Sequence, residues 1–117
     1  MKYIKSVDKN WIEKKGYSKK IFFDENDLNF PGSLVQQIKI KAGETAGVHY
    51  HKKQTEIFYF FNGNGYFIVN GKRIDLEEGD TLVIEPNDKH SVVNEGEEDF
   101  IYIAFKLNYH PEDSYWE

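Results

Sequence analysis

Turn-forming clusters recur along this chain at short, regular spacing, and the runs between them are built from β-branched and aromatic residues. Pro31-Gly32, Lys41-Ala42-Gly43, Asn62-Gly63-Asn64-Gly65, Asn70-Gly71, Glu78-Gly79-Asp80, Pro86-Asn87-Asp88 and Asn94-Glu95-Gly96 separate SLVQQIKIK, EIFYFF, GYFIVN, KRIDL, TLVIE, HSVVN and FIYIAFKL. Punctuation of this kind predicts an all-β sandwich or barrel made of hairpins. Asn70-Gly71 between two short strands is a type I′ hairpin signal, because that turn needs positive φ at both central residues. In Leu34–Lys41 the apolar residues Leu34, Ile38 and Ile40 alternate with Val35, Gln37, Lys39 and Lys41, a strand with one buried face that also carries Gln36. No segment holds a helical period; at most a turn is expected in the N-terminal arm or around Asp24–Asn29.

The chain has 117 residues, which suits one domain with one core: an N-terminal arm with edge strands over residues 1–30, a barrel over 34–107 and a tail over 108–117. Nine Phe and eight Tyr supply the material for that core. The absence of cysteine excludes disulfides, thiolate catalysis, iron–sulfur clusters and Cys-based zinc sites. The start, MKYIKSVDKNWIEKK, has no apolar signal region, and no run approaches the length of a membrane span. A cytoplasmic location is the expectation, with no membrane partner.

Charge is unevenly distributed. Residues 1–20 carry seven Lys against Asp8 and Glu13, whereas the rest of the chain is strongly acidic. Lysine in the arm alternates with Tyr3, Ile4, Trp11 and Ile12, and arginine is absent there. That pattern favours a solvated edge strand, or an arm docking on the acidic body of a second subunit, over nucleic-acid contact.

Three of the four histidines bear on function. In a strand His49 and His51 point to the same face, about 7 Å apart, near enough for both imidazoles to reach one ion. A polar turn follows, and the next strand opens with Glu56, whose carboxylate returns over the same point. Two imidazoles and a carboxylate on a β scaffold suit Fe(II), Mn(II), Ni(II), Zn(II) or Cu(II), with positions left open for a ligand.

The wider spacing carries a resemblance. Gly43-x5-His49-x-His51-x4-Glu56-x6-Gly63, followed by Gly79-Asp80-x3-Ile84-x-Pro86-x3-His90-x3-Asn94, resembles the two motifs of the cupin superfamily over residues 43–94. The resemblance implies a small cupin: a double-stranded antiparallel β-barrel, or jelly roll, holding one divalent metal (Fe, Mn, Ni or Zn) through His49, His51, Glu56 and His90. Gly43, Gly63 and Gly79 are expected at positive φ. Glu85 stands where proline is common and Asn87 replaces a glycine, which asparagine can do because it tolerates the left-handed region. His110 lies outside both motifs and is expected at the surface.

Strand parity nominates Phe58 and Phe60 beside Glu56, Gln36 and Tyr102 as pocket residues. Which face of the last strand turns inward is left open. No Lys or Arg cluster is expected in the lining, which disfavours a highly phosphorylated substrate. A Phe-lined pocket with few polar groups suits a small-molecule ligand that chelates metal through oxygen. The expected function is a metal-dependent enzyme of dioxygenase or isomerase type on a small oxygen-rich substrate, with Glu85, Tyr66 or Tyr102 as candidate bases. The alternative is a non-catalytic metal-dependent binding protein for a sugar or organic acid. Ile57, Tyr59 and Phe61 form an outward apolar stripe, for which a homodimer is the simplest cover.

Overall fold

The structure is a computed structural model that describes residues 1–117. Its strands are β1 (Ile12–Lys14), β2 (Tyr17–Phe23), β3 (Leu34–Ile40), β4 (Thr45–Tyr50), β5 (Thr55–Phe60), β6 (Tyr66–Val69), β7 (Lys72–Asp75), β8 (Thr81–Ile84), β9 (His90–Val93), β10 (Phe100–Leu107) and β11 (Tyr115–Trp116). Helix is limited to a single 3-10 turn at Ser6–Asp8 and α1 (Glu25–Leu28), where the turns were expected. One six-stranded sheet runs β1-β2-β3-β10-β5-β8 and one five-stranded sheet runs β11-β4-β9-β6-β7. The pairings are antiparallel.

The two sheets fit a jelly roll, but their hydrogen bonding does not close into the expected barrel. Each sheet ends in short strands with a free edge, β1 and β8 on one and β11 and β7 on the other, so side chains rather than a continuous ladder join the layers. Alternation builds that junction. Along β3, Leu34, Gln36, Ile38 and Ile40 are buried while the residues between them are half-exposed. Phe58 and Phe60 on β5, Phe67 on β6, and Phe100 and Tyr102 on β10 form one aromatic cluster, with ring centroids 5.0 to 6.2 Å apart. The inward face of the last strand is thereby Phe100, Tyr102 and Ala104.

Local turn chemistry follows the sequence closely. Asn70 and Gly71 adopt φ of 50° and 81°, as a type I′ hairpin requires, and Asn87 takes φ 73° in the place of the family's glycine. Gly43 and Gly79 also have positive φ, but Gly63 does not. Its constraint is space: a Cβ there would sit 2.0 Å from the Leu76 carbonyl oxygen. Asn94, which ends the second motif, is buried and donates from Nδ2 to the Ile40 and Glu98 carbonyls at 2.9 and 2.8 Å.

The basic arm packs on its own chain. Trp11 lies against Lys20 and Lys39, whose ammonium groups stand 4.7 and 4.2 Å from its ring centre, and buried Lys20 also donates to the Ser6 carbonyl and hydroxyl at 3.1 Å. The segment YSKKIFF, within the region expected to hold edge strands, pairs with β3 as β2, and β1 takes the edge beyond it. On the outer face of the larger sheet Tyr59, Phe61, Val83 and Phe105 are exposed. No helix is long and apolar enough to cross a membrane.

Phe60 is fully buried and meets four other rings of the cluster. Phe60→Ala is expected to cost about 3–5 kcal/mol in urea unfolding with an unchanged m-value. A loss below about 1 kcal/mol would show that this cluster is not the packed centre of the fold.

Candidate metal centre

His49 and His90 face each other directly across the β4–β9 ladder. They do so because β4 carries one extra residue between Ala46 and His49, a bulge that shifts the register and re-aims the side chains beyond it. His51 follows β4, and Glu56 comes from β5 on the opposite sheet. The site therefore spans the two layers at one end of the core.

One ring nitrogen of each of the three imidazoles lies within 4.8 Å of the others. Each Nδ1 faces a backbone carbonyl: Gly47 at 2.9 Å from His49, Asp113 at 2.6 Å from His51 and Asp88 at 2.9 Å from His90. A carbonyl oxygen only accepts, so each Nδ1 carries the proton and each Nε2 of the neutral ring keeps its lone pair. The buried Nε2 atoms of His51 and His90 have no hydrogen-bond partner. The Nε2 of His51 nevertheless lies 2.7 Å from a Glu56 carboxylate oxygen, and that of His90 lies 3.9 Å away. Two lone-pair atoms at hydrogen-bond distance, without hydrogen-bond direction, repel unless a proton or a cation lies between them. The same donor set, three imidazole nitrogens and one carboxylate, fits a divalent transition metal.

Glu56 is buried and accepts from Gln54 Nε2 at 3.1 Å. Burial alone would raise its carboxyl, but the His51 contact and the charge of Lys106 outweigh it and hold the pKa at about 2. Burial, with the neighbouring His90, pulls His49 down to about 4, and burial also lowers His90.

The tail reaches over this end of the fold. Asp113 accepts from the amides of Lys52, Lys53 and Gln54 at 2.8 to 3.0 Å, so its carboxylate closes the turn between β4 and β5 while its carbonyl orients His51. Strand β11 pairs with β4, and Trp116 stacks on His49 with ring centres 4.2 Å apart.

Beside the centre opens a cavity of about 630 Å³ lined in part by Gln36, Phe58 and Tyr102. Of the expected pocket residues Phe60 does not line it, being taken up by the aromatic core; its neighbour on the same face, Phe58, reaches the cavity. Tyr66 and Glu85 lie elsewhere: Tyr66 donates to Glu95 beneath Arg73, and Glu85 is exposed. His110 is exposed too. The tyrosine that does line the cavity, Tyr102, has its phenol pushed well up by burial and by Glu56. Contrary to expectation the lining is basic, with Lys14, Lys15, Lys19 and Lys106. The β1–β2 hairpin brings the arm's lysines to the cavity of its own chain, and Lys106 continues the inward face of Tyr102 and Ala104. Parity along FIYIAFKL would have exposed Lys106, whereas nothing local signalled Gln54, Asp113 or Trp116.

Residues 36–106 match the family model of the cupin domain, Cupin_2. The chain belongs to the cupin family. An oxalate-binding protein from Thermotoga maritima is 32% identical over 71 residues, 61% of this cupin and 59% of that relative. A glucose-6-phosphate isomerase from Thermococcus onnurineus is 31% identical over 93 residues, 68% of this chain and 47% of that one. The chain thus spans about half the length of these curated relatives. A predicted oxalate decarboxylase from Thermotoga maritima superposes with a TM-score of 0.76 over 91% of this cupin and 98% of that chain, at 23% identity, a likeness of fold.

The lowered histidine pKa values set a pH dependence for the metal-free chain. Between the ordinary value of 6.5 and about 4, His49 binds a proton when unfolded but not when folded, so stability falls as pH drops through that window. The loss attributable to His49 by pH 4 is on the order of 3 kcal/mol. Urea unfolding of the chelator-treated protein at pH 7 and pH 4.5 reads it; equal stability would mean that these rings are solvated.

Proposed function

We propose that this cupin binds one divalent transition metal (Fe, Mn, Ni or Zn) through His49, His51, Glu56 and His90 and acts on a small oxygen-rich molecule seated in the adjoining cavity. The observation that carries the reading is the 2.7 Å approach of the unpartnered His51 Nε2 to the Glu56 carboxylate. When bound, such a metal supplies Lewis acidity and a template for oxygen ligands. The chain's own residues do the rest. Three carbonyls orient the imidazoles, Gln54 steadies Glu56, and Phe58, Phe67 and Val92 form an apolar wall. The protonated Tyr102 phenol and the Gln36 amide stand ready to hydrogen-bond a ligand.

An enzyme of dioxygenase or isomerase type is the favoured reading. A non-catalytic binding protein for a sugar or organic acid is the second, and the oxalate-binding relative supports it. The exposed stripe of Tyr59, Phe61, Val83 and Phe105 supports pairing with a second copy.

Elemental analysis of untagged protein beside His51→Ala tests the core of this proposal. One metal per chain is expected in the parent, and about a tenth or less of that in the variant. No metal in the parent after reconstitution would overturn it. Light scattering on the same samples should read twice the chain mass. Oxygen uptake with small diols and diketones, against ligand binding without turnover, separates the enzyme from the binder.

A further inference from the structure

The lysines of the cavity are not accounted for by metal chemistry. Lys19 lies opposite Ile38 across the β2–β3 ladder, and Lys106 lies opposite Leu34 and Glu56. Ile38, Leu34 and Glu56 are buried and inward, and residues directly opposite in an antiparallel pair share a face. Both lysines therefore project to the inner side of the larger sheet and line the cavity, each half-buried.

Neither lysine has a carboxylate partner of its own. Two other lysines of the chain do have one, Lys41 with Glu13 at 3.0 Å and Lys89 with Glu117 at 2.6 Å. Lys106 instead stands 4.7 Å from the ring centre of Tyr109. Burial, and the charges of Lys106 and Lys14, depress the Lys19 ammonium. Snorkelling along apolar surface explains one rim lysine. It does not explain two that repel across a cavity that also holds Gln36, a buried amide whose Oε1 has no partner.

Size points the same way. A cavity of about 630 Å³ falls within the range for ligands of many heavy atoms and exceeds what a two-carbon acid fills. The same cavity presents imidazoles from the five-stranded sheet and Glu56 and the two ammonium groups from the six-stranded sheet.

We infer that the cavity takes a small acid with two anionic groups, one chelating head at the His49–His51–Glu56–His90 centre and a second carboxylate or phosphate held by Lys19 and Lys106. This rests on the metal-binding reading for the first head only. Gln36, on the same inner face, hydrogen-bonds the polar atoms between the two ends.

Calorimetric titration with 2-hydroxy acids that share one chelating head tests it. Lactate has no second anion, malate and 2-hydroxyglutarate add a carboxylate at two distances, and 3-phosphoglycerate adds a phosphate. At fixed ionic strength at least one of the three two-headed acids should bind about tenfold or more tightly than lactate. Which of them gains identifies a carboxylate or a phosphate as the second group. Lys19→Met and Lys106→Met should each remove most of that advantage, Lys19→Arg should keep it, and metal content should stay at the parent level in all three. Equal affinity for lactate and every two-headed acid, or a preference that survives both methionine substitutions, would overturn the inference. If the protein takes up no metal, the first head's site fails by itself. The two-anion preference and its loss on Lys19→Met then remain measurable on the metal-free chain.

Discussion

Three backbone carbonyls, at Gly47, Asp88 and Asp113, govern which way the imidazoles of this protein face. By accepting hydrogen bonds from Nδ1–H they leave the Nε2 lone pairs of His51 and His90 facing the Glu56 carboxylate in a buried space. Such an arrangement is costly without a positive charge at its centre. The fold's other features at this end serve to hold it. The bulge in β4 sets His49 against His90, Gln54 fixes one carboxylate oxygen of Glu56, and Asp113 ties the turn after His51 to the tail. Two of the carbonyls are local, two residues before the ring they orient. The third comes from 62 residues further along the chain, so the geometry of His51 depends on the docking of the tail.

The two sheets divide the labour. The five-stranded sheet contributes His49 and His90 and, through β11, the aromatic cover of Trp116; the six-stranded sheet contributes Glu56, Gln36, Tyr102 and the lysines. A ligand lying in the cavity thus contacts both layers, with the aromatic cluster of Phe58, Phe60, Phe67, Phe100 and Tyr102 as its rigid support. The lining is charged as well as apolar: the Glu56 carboxylate is held at about pKa 2, and Lys106, directly opposite it, and Lys19 bring ammonium groups to the same cavity.

Much of this was legible in the amino-acid sequence because its causes are local. The Asn70-Gly71 turn, the alternation along Leu34–Ile40 and the tolerance of Asn87 for positive φ all act over two to seven residues. The nearness of His49 and His51 was legible because residues two apart in an extended chain share a face. What escaped depends on contacts without a pattern. Asp113 binds backbone amides, which every residue possesses, so no residue type at 52–54 advertises it. The bulge is one residue of register. Lys19 sits in a lysine-rich arm where charge masks the alternation of Tyr17, Lys19 and Ile21, although Lys106 shares parity with Tyr102 and was open to inference.

X-ray absorption at the metal edge of the reconstituted protein is the decisive test of a centre built from His49, His51, Glu56 and His90. The expected first shell is nitrogen and oxygen with the multiple-scattering signature of three imidazoles, reduced by one in His90→Ala. A shell of oxygen alone, or an imidazole count unchanged by that substitution, would place the ion elsewhere and contradict it.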